Sequence, residues 1–308
     1  MEHSYELVRL LAQGGMADVY LARLADVPVV LKVLNDEYAN SAEARLLFAH
    51  EARLARVLRH QNLATVYGLA HERYLAMEYV DGANLCELLA IATHTGCAIT
   101  YECAIAIAAA AARGLDHAHR LGVVHRDVSL SNIMVRRDGV VKVIDFGIAR
   151  SRDAVHVTNP GTLRGKPSYM SPEQCLGNEV DRRTDVFALG IVLYELATGR
   201  PCFVGTTSFA RMVAIVHGEY ISPSRYDARF PAGLERVIRK ALAVDPADRY
   251  QSAAQLGEAL RDLARAYAWS SDGGCLAKLM ADLLGEEPGA GDFDDETYVG
   301  PPPFAFAA

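Results

Sequence analysis

The sequence has few of the features that mark disulfide-bonded, metal-binding or membrane-spanning proteins. Its six cysteines are scattered, without a CxxC pair or metal-ligand spacing, as is typical of reduced thiols in a cytosolic protein. The most apolar stretch, Cys103 to Ala112, is too short to cross a bilayer and runs into Arg113 and Asp116. The N-terminus lacks the apolar core of a signal peptide. These absences predict a soluble, cytoplasmic protein with no membrane span and no disulfide framework.

An excess of positive charge is also absent. The formal net charge of -7 arises at the C-terminal end, because all 31 Lys and Arg residues precede Leu279 while seven acidic residues follow it. Residues 1–278 are neutral overall and lack the excess of Lys and Arg that is typical of a nucleic-acid-binding protein. Near the acidic end, Asp294 to Tyr298 presents Thr297 as a phosphorylation site or docking peptide; the alternative is a merely solvating sequence.

The 308 residues, half of them apolar, are predicted to begin with a strand-rich region. Strand-like runs occur at Leu7–Leu11, Asp18–Leu24, Val27–Leu34, Ala64–Leu69 and Tyr74–Tyr79. A helix is predicted over residues 41–59, with Leu47, Glu51, Leu54 and Leu58 on one face. The charge of Glu51 in this apolar stripe either reaches solvent from the edge or needs a partner.

The chain after residue 80 is predicted to be mostly helical. Helices are expected at residues 100–121, 185–198, 209–217, 234–243 and 251–267, and Gly122 and Gly199 stop the first two. After Trp269 the composition changes to Gly, Pro and acid, and we predict no structure beyond about residue 285. The expected domains are residues 1–80, residues 81–270 and an acidic, Gly/Pro-rich tail at 271–308.

A hairpin is predicted where two apolar or β-branched runs, Met134 to Arg137 and Val140 to Ile144, flank Asp138-Gly139. This dipeptide is typical of a two-residue hairpin turn. A hairpin centred on it would place Asn132 opposite Asp145 at its open end. An amide and a carboxylate side by side suit Mg²⁺, which prefers hard oxygen ligands; a surface hairpin with polar ends is the alternative.

The string HRDVSLSN at His125 to Asn132, followed by VIDFG at Val143 to Gly147, resembles the catalytic and metal-binding loops of the bacterial Ser/Thr protein kinase family. With Ser-Pro-Glu ending at Glu173 and Arg249 downstream, the resemblance covers roughly residues 5 to 267. It implies an α+β, bilobal fold: a small β-rich N-lobe with one helix, a larger helical C-lobe and ATP in the cleft between them. The implied activity is transfer of the γ-phosphoryl group of MgATP to protein Ser or Thr hydroxyls, including autophosphorylation, in signal transduction.

The segment from Leu11 to Val19 resembles the glycine-rich loop of this family, whose backbone approaches the nucleotide phosphates. Gly14 matches one of the three motif glycines, and Gly15 is an additional glycine. Ala12 and Ala17 stand at the other two positions, where they restrict positive φ and are expected to weaken nucleotide capture.

The resemblance also implies further contacts to the nucleotide. Lys32 would reach the α- and β-phosphates and pair with Glu51, which gives that glutamate a partner. Val30 would face adenine, and the backbone of Met77 to Val80 would form the hinge. The residues assigned to nucleotide binding are Leu11, Gly14, Gly15, Val19, Val30, Lys32, Glu51, Met77, Glu78, Val80, Asn132, Met134 and Asp145.

Within the resembling loops, Asp127 would orient the substrate hydroxyl and accept its proton, while Asn132 and Asp145 would hold Mg²⁺. Arg126 would pair with a phosphate on the activation segment or, alternatively, with a nearby carboxylate. The residues expected to support these loops structurally are His125, Phe146 and Asp185.

The catalytic loop departs from the family pattern at Ser129, where most members have a lysine that contacts the γ-phosphate. Lys166 stands where they have a threonine that contacts this lysine. The hydroxyl and the lysine ammonium have thus exchanged places between positions 129 and 166. Lys166 is therefore a candidate to supply the positive charge that the catalytic loop lacks. The alternative is that Lys166 points to solvent and the enzyme works poorly without a second cation.

The activation segment is expected to run from Asp145 to Glu173, and Glu173 should form an ion pair with Arg249. The phosphorylation candidates are Thr158, Thr162 and Ser168, with Thr162 preferred for its spacing. Three other functions stay open: a pseudokinase scaffold, a small-molecule phosphotransferase and a tyrosine kinase. Protein substrates are the expected partners, with a possible docking partner at the tail and no nucleic acid.

Overall fold

The computed structural model describes residues 5–70, 73–146, 167–269 and 274–285, and contacts divide the chain into two units. The first unit contains the described residues through Arg59 and those from Ala64 to Tyr79. The second contains His60–Leu63 and Val80–Gly285. Within the described ranges, no helix combines the length and the apolar character needed to cross a membrane.

The first unit is built on a five-stranded antiparallel sheet, and all five predicted strands are present. In chain order they are β1 (Tyr5–Ala12), β2 (Ala17–Leu24), β3 (Val27–Leu34), β4 (Val66–Ala70) and β5 (Tyr74–Glu78). Their spatial order is β1-β2-β3-β5-β4. The central strand β3 therefore pairs with β2 on one side and β5 on the other.

The sheet is followed by a short helix α1 (Asp36–Ala39) and by the predicted long helix, α2 (Ala42–Arg56). Ser41 caps α2, since its hydroxyl accepts a hydrogen bond from the Ala44 amide at 3.3 Å. The buried face differs from the predicted stripe: Phe48 packs into the core between small alanines, whereas Leu47 and Leu54 are only partly buried. Alanines let the helix approach closely, which rotates the larger leucines toward its edges.

The second unit is mainly helical. Its elements are β6 (Gly82–Asn84), α3 (Leu85–Thr95), α4 (Tyr101–Arg120), β7 (Ile133–Arg136), β8 (Val141–Val143), α5 (Pro172–Leu176), α6 (Arg183–Thr198), α7 (Ser208–His217), α8 (Ala232–Ala241), α9 (Ala253–Ala266) and α10 (Gly274–Leu284). The core helix α4 packs against α6, α9, α10 and β8. Gly122 and Gly199, each at positive φ, follow α4 and α6 as expected.

Helix α10 was not predicted, because its residues were assigned to the tail. It packs against α3, α4 and β7. Its buried face is made by Leu276, Leu279, Met280 and Leu283, spaced i, i+3, i+4 and i+7 as in an amphipathic helix. The second unit therefore continues through Gly285 instead of ending near residue 270.

Candidate active site

The turn between β1 and β2 is held by its own polar groups. The Gly14 amide donates to Asp18 Oδ1 at 3.2 Å, and Asn35 Nδ2 donates to Gly14 O at 3.0 Å. A Cβ on Gly14 would lie 2.4 Å from the Ala17 carbonyl oxygen, whereas a Cβ on Gly15 would meet nothing within 4 Å. Position 14 therefore requires glycine, because the backbone at Ala17 lies too close to leave room for a side chain.

Weaker nucleotide capture was predicted because Ala12 and Ala17 restrict positive φ, and this reason does not apply to the backbone of the turn. Ala12 ends β1 and Ala17 begins β2 as a buried core residue. Neither residue has positive φ, nor do Gly14 and Gly15. An alanine is restricted only where the backbone needs positive φ, so this turn accepts both alanines without strain.

Lys32 and Glu51 form the ion pair expected from the resemblance. Lys32 lies in the centre of the sheet, paired in register with Val19 on β2 and Leu75 on β5. Its Nζ lies 3.2 Å from Glu51 Oε1 on α2. The Lys32 side chain is 20 % exposed and that of Glu51 is 7 % exposed. Glu51 is thus a buried, paired carboxylate and does not reach solvent from the edge of its helix.

The apolar residues assigned to nucleotide contact are also part of the core of the first unit. Val30 and Met77 are direct cross-strand partners on β3 and β5, and both are buried. Leu11 and Val19 pack against the same cluster. Cross-strand pairing puts Val19, Val30 and Met77 on the face of the sheet that also carries Lys32.

The predicted hinge spans the boundary between the two units, which falls between Tyr79 and Val80. Glu78 ends β5, and its carboxylate accepts a hydrogen bond from the Thr65 amide at 2.9 Å. That contact ties the Glu78 side chain to the start of β4. In the second unit, Val80 is buried and Met134 lies on β7, paired with Asn84.

The loop from His125 to Asn132 places a carboxylate beside an amide. Asn132 Nδ2 donates to the Asp127 carbonyl oxygen at 2.8 Å and to Asp127 Oδ2 at 3.0 Å. Because the amide nitrogen faces Asp127, the amide oxygen points away from it. His125 supports the loop: its Nδ1 accepts from the Asp127 amide at 3.2 Å and its Nε2 donates to Ile144 O at 2.9 Å.

Asp185 anchors this loop from α6. Its two carboxylate oxygens accept hydrogen bonds from the amides of His125 and Arg126, each at 2.8 Å. Arg126 has φ 64°, a left-handed conformation that is strained for a residue with a side chain. The side chain that holds this strained backbone in place is therefore Asp185, in agreement with the structural role predicted for it.

A third hydrogen bond to Asp185 comes from His119 Nε2 on α4 at 2.7 Å, a contact that the sequence analysis missed. Burial alone would raise the pKa of Asp185, but the hydrogen bonds from His119 and His125 outweigh it and hold that pKa below its ordinary value. Asp185 is fully buried. Its negative charge is thus kept inside the protein by donors from two different segments.

The hairpin β7-β8 differs from the predicted one by one residue of register. Its loop has three residues, 137–139, because Arg136 N donates to Val140 O at 2.8 Å and Gly139 alone takes the left-handed conformation, with φ 86°. Asn132 consequently pairs with Ile144, whose amide donates to Asn132 O at 2.9 Å. Asp145 follows at φ 52°, a second strained position.

Ser129 is fully buried and bonded within the loop. Its Oγ lies 3.1 Å from Ser131 Oγ, which in turn donates to Asn132 Oδ1 at 3.2 Å. This pair of hydroxyls connects Ser129 to the amide of the predicted metal ligand. Lys166, its suggested counterpart, lies outside the described residues.

Part of the activation segment is described. Thr158 and Thr162 lie outside the described residues, as does Lys166, whereas the Ser168 hydroxyl accepts a hydrogen bond from Arg211 Nη1 at 2.9 Å. Both alternatives for the Arg126 guanidinium, a phosphate on the activation segment and a nearby carboxylate, stay predictions.

Two sets of hydrogen bonds hold the last residues of this segment in place. Ser171 caps α5, with Gln174 completing a reciprocal capping box. Tyr169 donates to Glu195 Oε2 on α6 at 2.6 Å, a partly buried contact that the sequence patterns did not predict. Burial and the neighbouring Glu195 carboxylate raise the pKa of Tyr169 far above its ordinary value, so the tyrosine remains protonated and serves as a hydrogen-bond donor.

The predicted ion pair between Glu173 and Arg249 is present and buried. Arg249 Nη1 and Nη2 donate to the two Glu173 carboxylate oxygens, each at 2.7 Å. The other donors of Arg249 bind the carbonyl oxygens of Ala243, Val244 and Arg183. All five N–H donors of the guanidinium are therefore satisfied.

Comparison with known proteins agrees with this geometry. Residues 5–259 match the family model described as "Protein kinase domain". The serine/threonine-protein kinase PknB of Mycobacterium leprae is 39 % identical over 262 residues, covering 82 % of this chain and 42 % of the relative. The tyrosine-protein kinase MasK of Myxococcus xanthus is 36 % identical over 299 residues, covering 92 % of this chain and 46 % of the relative.

The kinase domain of Mycobacterium tuberculosis PknI is a similar solved structure, with a TM-score of 0.64 and 28 % sequence identity. The match covers 85 % of this chain and 97 % of that domain. The chain spans less than half the length of the two curated relatives described above. Because the family model matches most of the chain, the chain belongs to the protein kinase domain family.

Proposed function

We propose that the chain is a protein kinase that transfers the γ-phosphoryl group of MgATP to Ser or Thr hydroxyls of protein substrates, including its own. The observation that carries the proposal is the Asp127 carboxylate fixed by the Asn132 amide at the end of the hairpin that leads to Asp145. The similarity to PknB supports the same activity. A role in cytoplasmic signal transduction, with Thr162 and Thr297 as phosphorylated or docking residues, is part of this proposal.

The residues fit a magnesium nucleotide. The Asn132 amide nitrogen is engaged by Asp127. Its oxygen accepts one hydrogen bond from Ser131 and has a second lone pair for a cation, and Asp145 adds a carboxylate. One amide and one carboxylate, with phosphate and water oxygens completing the shell, are the donors that Mg²⁺ takes in nucleotide sites. When bound, the ion would neutralise charge on the transferred phosphoryl group.

The protein's own part is mostly positioning and charge stabilisation. Asp127 would orient the substrate hydroxyl and accept its proton, and the Asn132 amide holds the carboxylate in place for this task. Lys32 would bind phosphate oxygens, while Glu51 keeps the ammonium aligned on the sheet. The apolar side chains of Leu11, Val19, Val30 and Met77 would accept the adenine base.

The β1-β2 turn gives a first test of nucleotide binding. A methyl group on Gly14 would collide with the Ala17 carbonyl, so Gly14→Ala must displace the backbone of the turn. We expect the dissociation constant of an ATP analogue, measured by calorimetric titration, to rise about tenfold. Gly15→Ala is the matched control, since its methyl group meets open space, and it should change the constant less than about twofold. Equal constants for the two variants would show that this turn does not contact the nucleotide.

The proposed exchange of Ser129 and Lys166 predicts a rescue. Lys166→Thr is expected to lower kcat about 100-fold, because one preorganised cation is removed from the transferred phosphoryl group. Adding Ser129→Lys should recover most of the loss, since a flexible four-carbon stem can carry the ammonium out of this buried position. The control is Ser129→Ala with Lys166→Thr, which carries a cation at neither position and should stay impaired. A lysine double variant as inactive as Lys166→Thr alone would contradict the exchange.

Substrate specificity has a second candidate. Ser129 removes the lysine that most Ser/Thr members of the family carry in the catalytic loop, and the relative MasK is named a tyrosine-protein kinase. We therefore regard phosphorylation of tyrosine as the alternative activity.

One experiment separates the candidate functions. The purified chain is incubated with γ-labelled ATP, Mg²⁺ and a general protein substrate, and the labelled proteins are hydrolysed for phosphoamino-acid analysis. Phosphoserine or phosphothreonine that disappears in Asp127→Asn supports the proposal. Phosphotyrosine alone would assign the alternative activity, and nucleotide binding without any label would identify a scaffold without turnover.

A further inference from the structure

Two cysteines that are 172 positions apart in the sequence meet at the first turns of two packed helices. Cys103 lies near the start of α4 and Cys275 near the start of α10. The Cys103 thiol donates to the Cys275 carbonyl oxygen at 3.6 Å and lies within hydrogen-bond reach of the Cys275 side chain. Cys103 is buried and Cys275 is partly exposed. The pair therefore has one solvent-accessible member and one protected member.

The surroundings of Cys103 favour its thiolate. The side-chain hydrogen bond with Cys275 lowers the pKa of Cys103 to about 7 against the opposing effect of burial, and Thr100 adds a further hydrogen bond. The start of a helix also stabilises negative charge. In contrast, burial raises the pKa of Cys175 to about 11 and that of Cys202 well above its ordinary value. Cys103 is thus chemically distinct from these two structural thiols.

We propose that Cys103 and Cys275 form a reversible disulfide on exposure to hydroperoxides, which tethers α10 to α4. In the first step the Cys275 sulfur attacks one peroxide oxygen and the O–O bond breaks. A sulfenic acid is formed, and the leaving oxygen takes the thiol proton and departs as water from hydrogen peroxide or as an alcohol from an organic hydroperoxide. In the second step the Cys103 thiolate attacks that sulfur, the S–S bond forms, the S–O bond breaks and the oxygen leaves as hydroxide, which takes a proton from solvent. A dithiol reverses the reaction by exchange and is itself oxidised.

The tether acts on a helix that contacts the site-bearing hairpin. Helix α10 packs against β7, the strand that directly follows Asn132. At its other end, the Gly285 carbonyl oxygen accepts a hydrogen bond from Arg137 Nη1, in the β7-β8 loop, at 3.4 Å. Oxidation would therefore fix one end of a helix whose other end braces the hairpin between Asn132 and Asp145. This regulation is additional to the proposed kinase activity and does not depend on it.

The test uses the full chain with hydrogen peroxide as the oxidant, followed by thiol blocking and peptide mass spectrometry. We expect a peptide linked between Cys103 and Cys275, lighter by two hydrogens than its parts, that is lost on adding dithiothreitol. The melting temperature should rise by about 5–15 °C on oxidation, because the bond closes a very long loop.

Matched variants make the result specific. Cys275→Ser and Cys103→Ser should each abolish both the linked peptide and the melting shift, and Cys275→Ser remains informative if the buried Cys103→Ser fails to fold. Cys97→Ser, at a cysteine of similar partial exposure, should keep both. Peroxide-treated protein in which the two thiols are blocked separately, or in which they pair with other cysteines, would overturn the proposal. Neither readout requires phosphoryl transfer.

Discussion

Asp127→Asn is expected to reduce kcat by about 10² to 10⁴-fold while leaving the fold intact, since it removes the group that accepts the substrate proton. The replacement is nearly isosteric. Its side-chain oxygen can still accept the hydrogen bond that Asn132 Nδ2 now gives to Asp127 Oδ2 at 3.0 Å. Initial rates with saturating ATP, together with the melting temperature, measure the two parts of this expectation.

A matched control for this variant is Asp138→Asn in the β7-β8 loop. Asp138 is exposed, bonds to Arg136 and lies at the opposite end of the same hairpin from the site. Its replacement should leave kcat within about twofold of the parent chain. If Asp127→Asn retained full turnover, Asp127 would not be the proton acceptor and the proposed mechanism would fail.

Arg249→Met is expected to lower the free energy of unfolding by about 3–5 kcal/mol, because it leaves the Glu173 carboxylate buried without its partner. Arg249 is 2 % exposed, and its five donors bind Glu173 and three carbonyl oxygens. Methionine can fill part of the volume but supplies none of these donors. Urea denaturation followed by circular dichroism measures the loss.

The double variant Glu173→Gln with Arg249→Met separates the charge effect from the loss of packing. Removing the buried charge as well should recover part of the stability, which would appear as a favourable coupling energy between the two sites. Arg265→Met is the surface control, since Arg265 pairs with Asp262 in solvent and should change stability by less than about 0.5 kcal/mol. A loss at Arg249 no larger than at Arg265 would contradict a structural role for the buried pair.

The turn of the β7-β8 hairpin illustrates how far sequence patterns reach. Asp138-Gly139 correctly indicated a tight reversal between two strands, because such a pair tolerates left-handed backbone. The pattern did not determine how many residues take that conformation. Only Gly139 does so, the loop gains a residue, and Asn132 pairs with Ile144 instead of Asp145. A short motif thus locates a site to within one residue. The exact register of the two strands depends on their backbone hydrogen bonds, which the motif does not determine.

Glu51 and α10 show two other limits. Periodicity identified a charge inside an apolar stripe, but the identity of its partner came from family resemblance, since Lys32 is 19 residues away on a strand. For α10, the leucine spacing was visible in the sequence, yet the Gly- and Pro-rich residues that follow dominated the composition. The contact of Cys103 with Cys275 could not be predicted, because nothing local relates positions so far apart.

The bonds from Asp185 to the amides of His125 and Arg126 also bear on the order in which the protein folds. The acceptor lies 60 and 59 residues after the two donors, respectively. During synthesis the loop therefore leaves the ribosome well before the carboxylate that holds Arg126 at positive φ. The loop can reach its working shape only after α6 has docked. Once folded, hydrogen exchange at these two amides should be as slow as at the core of α6, so the catalytic loop and that helix would open as one cooperative unit.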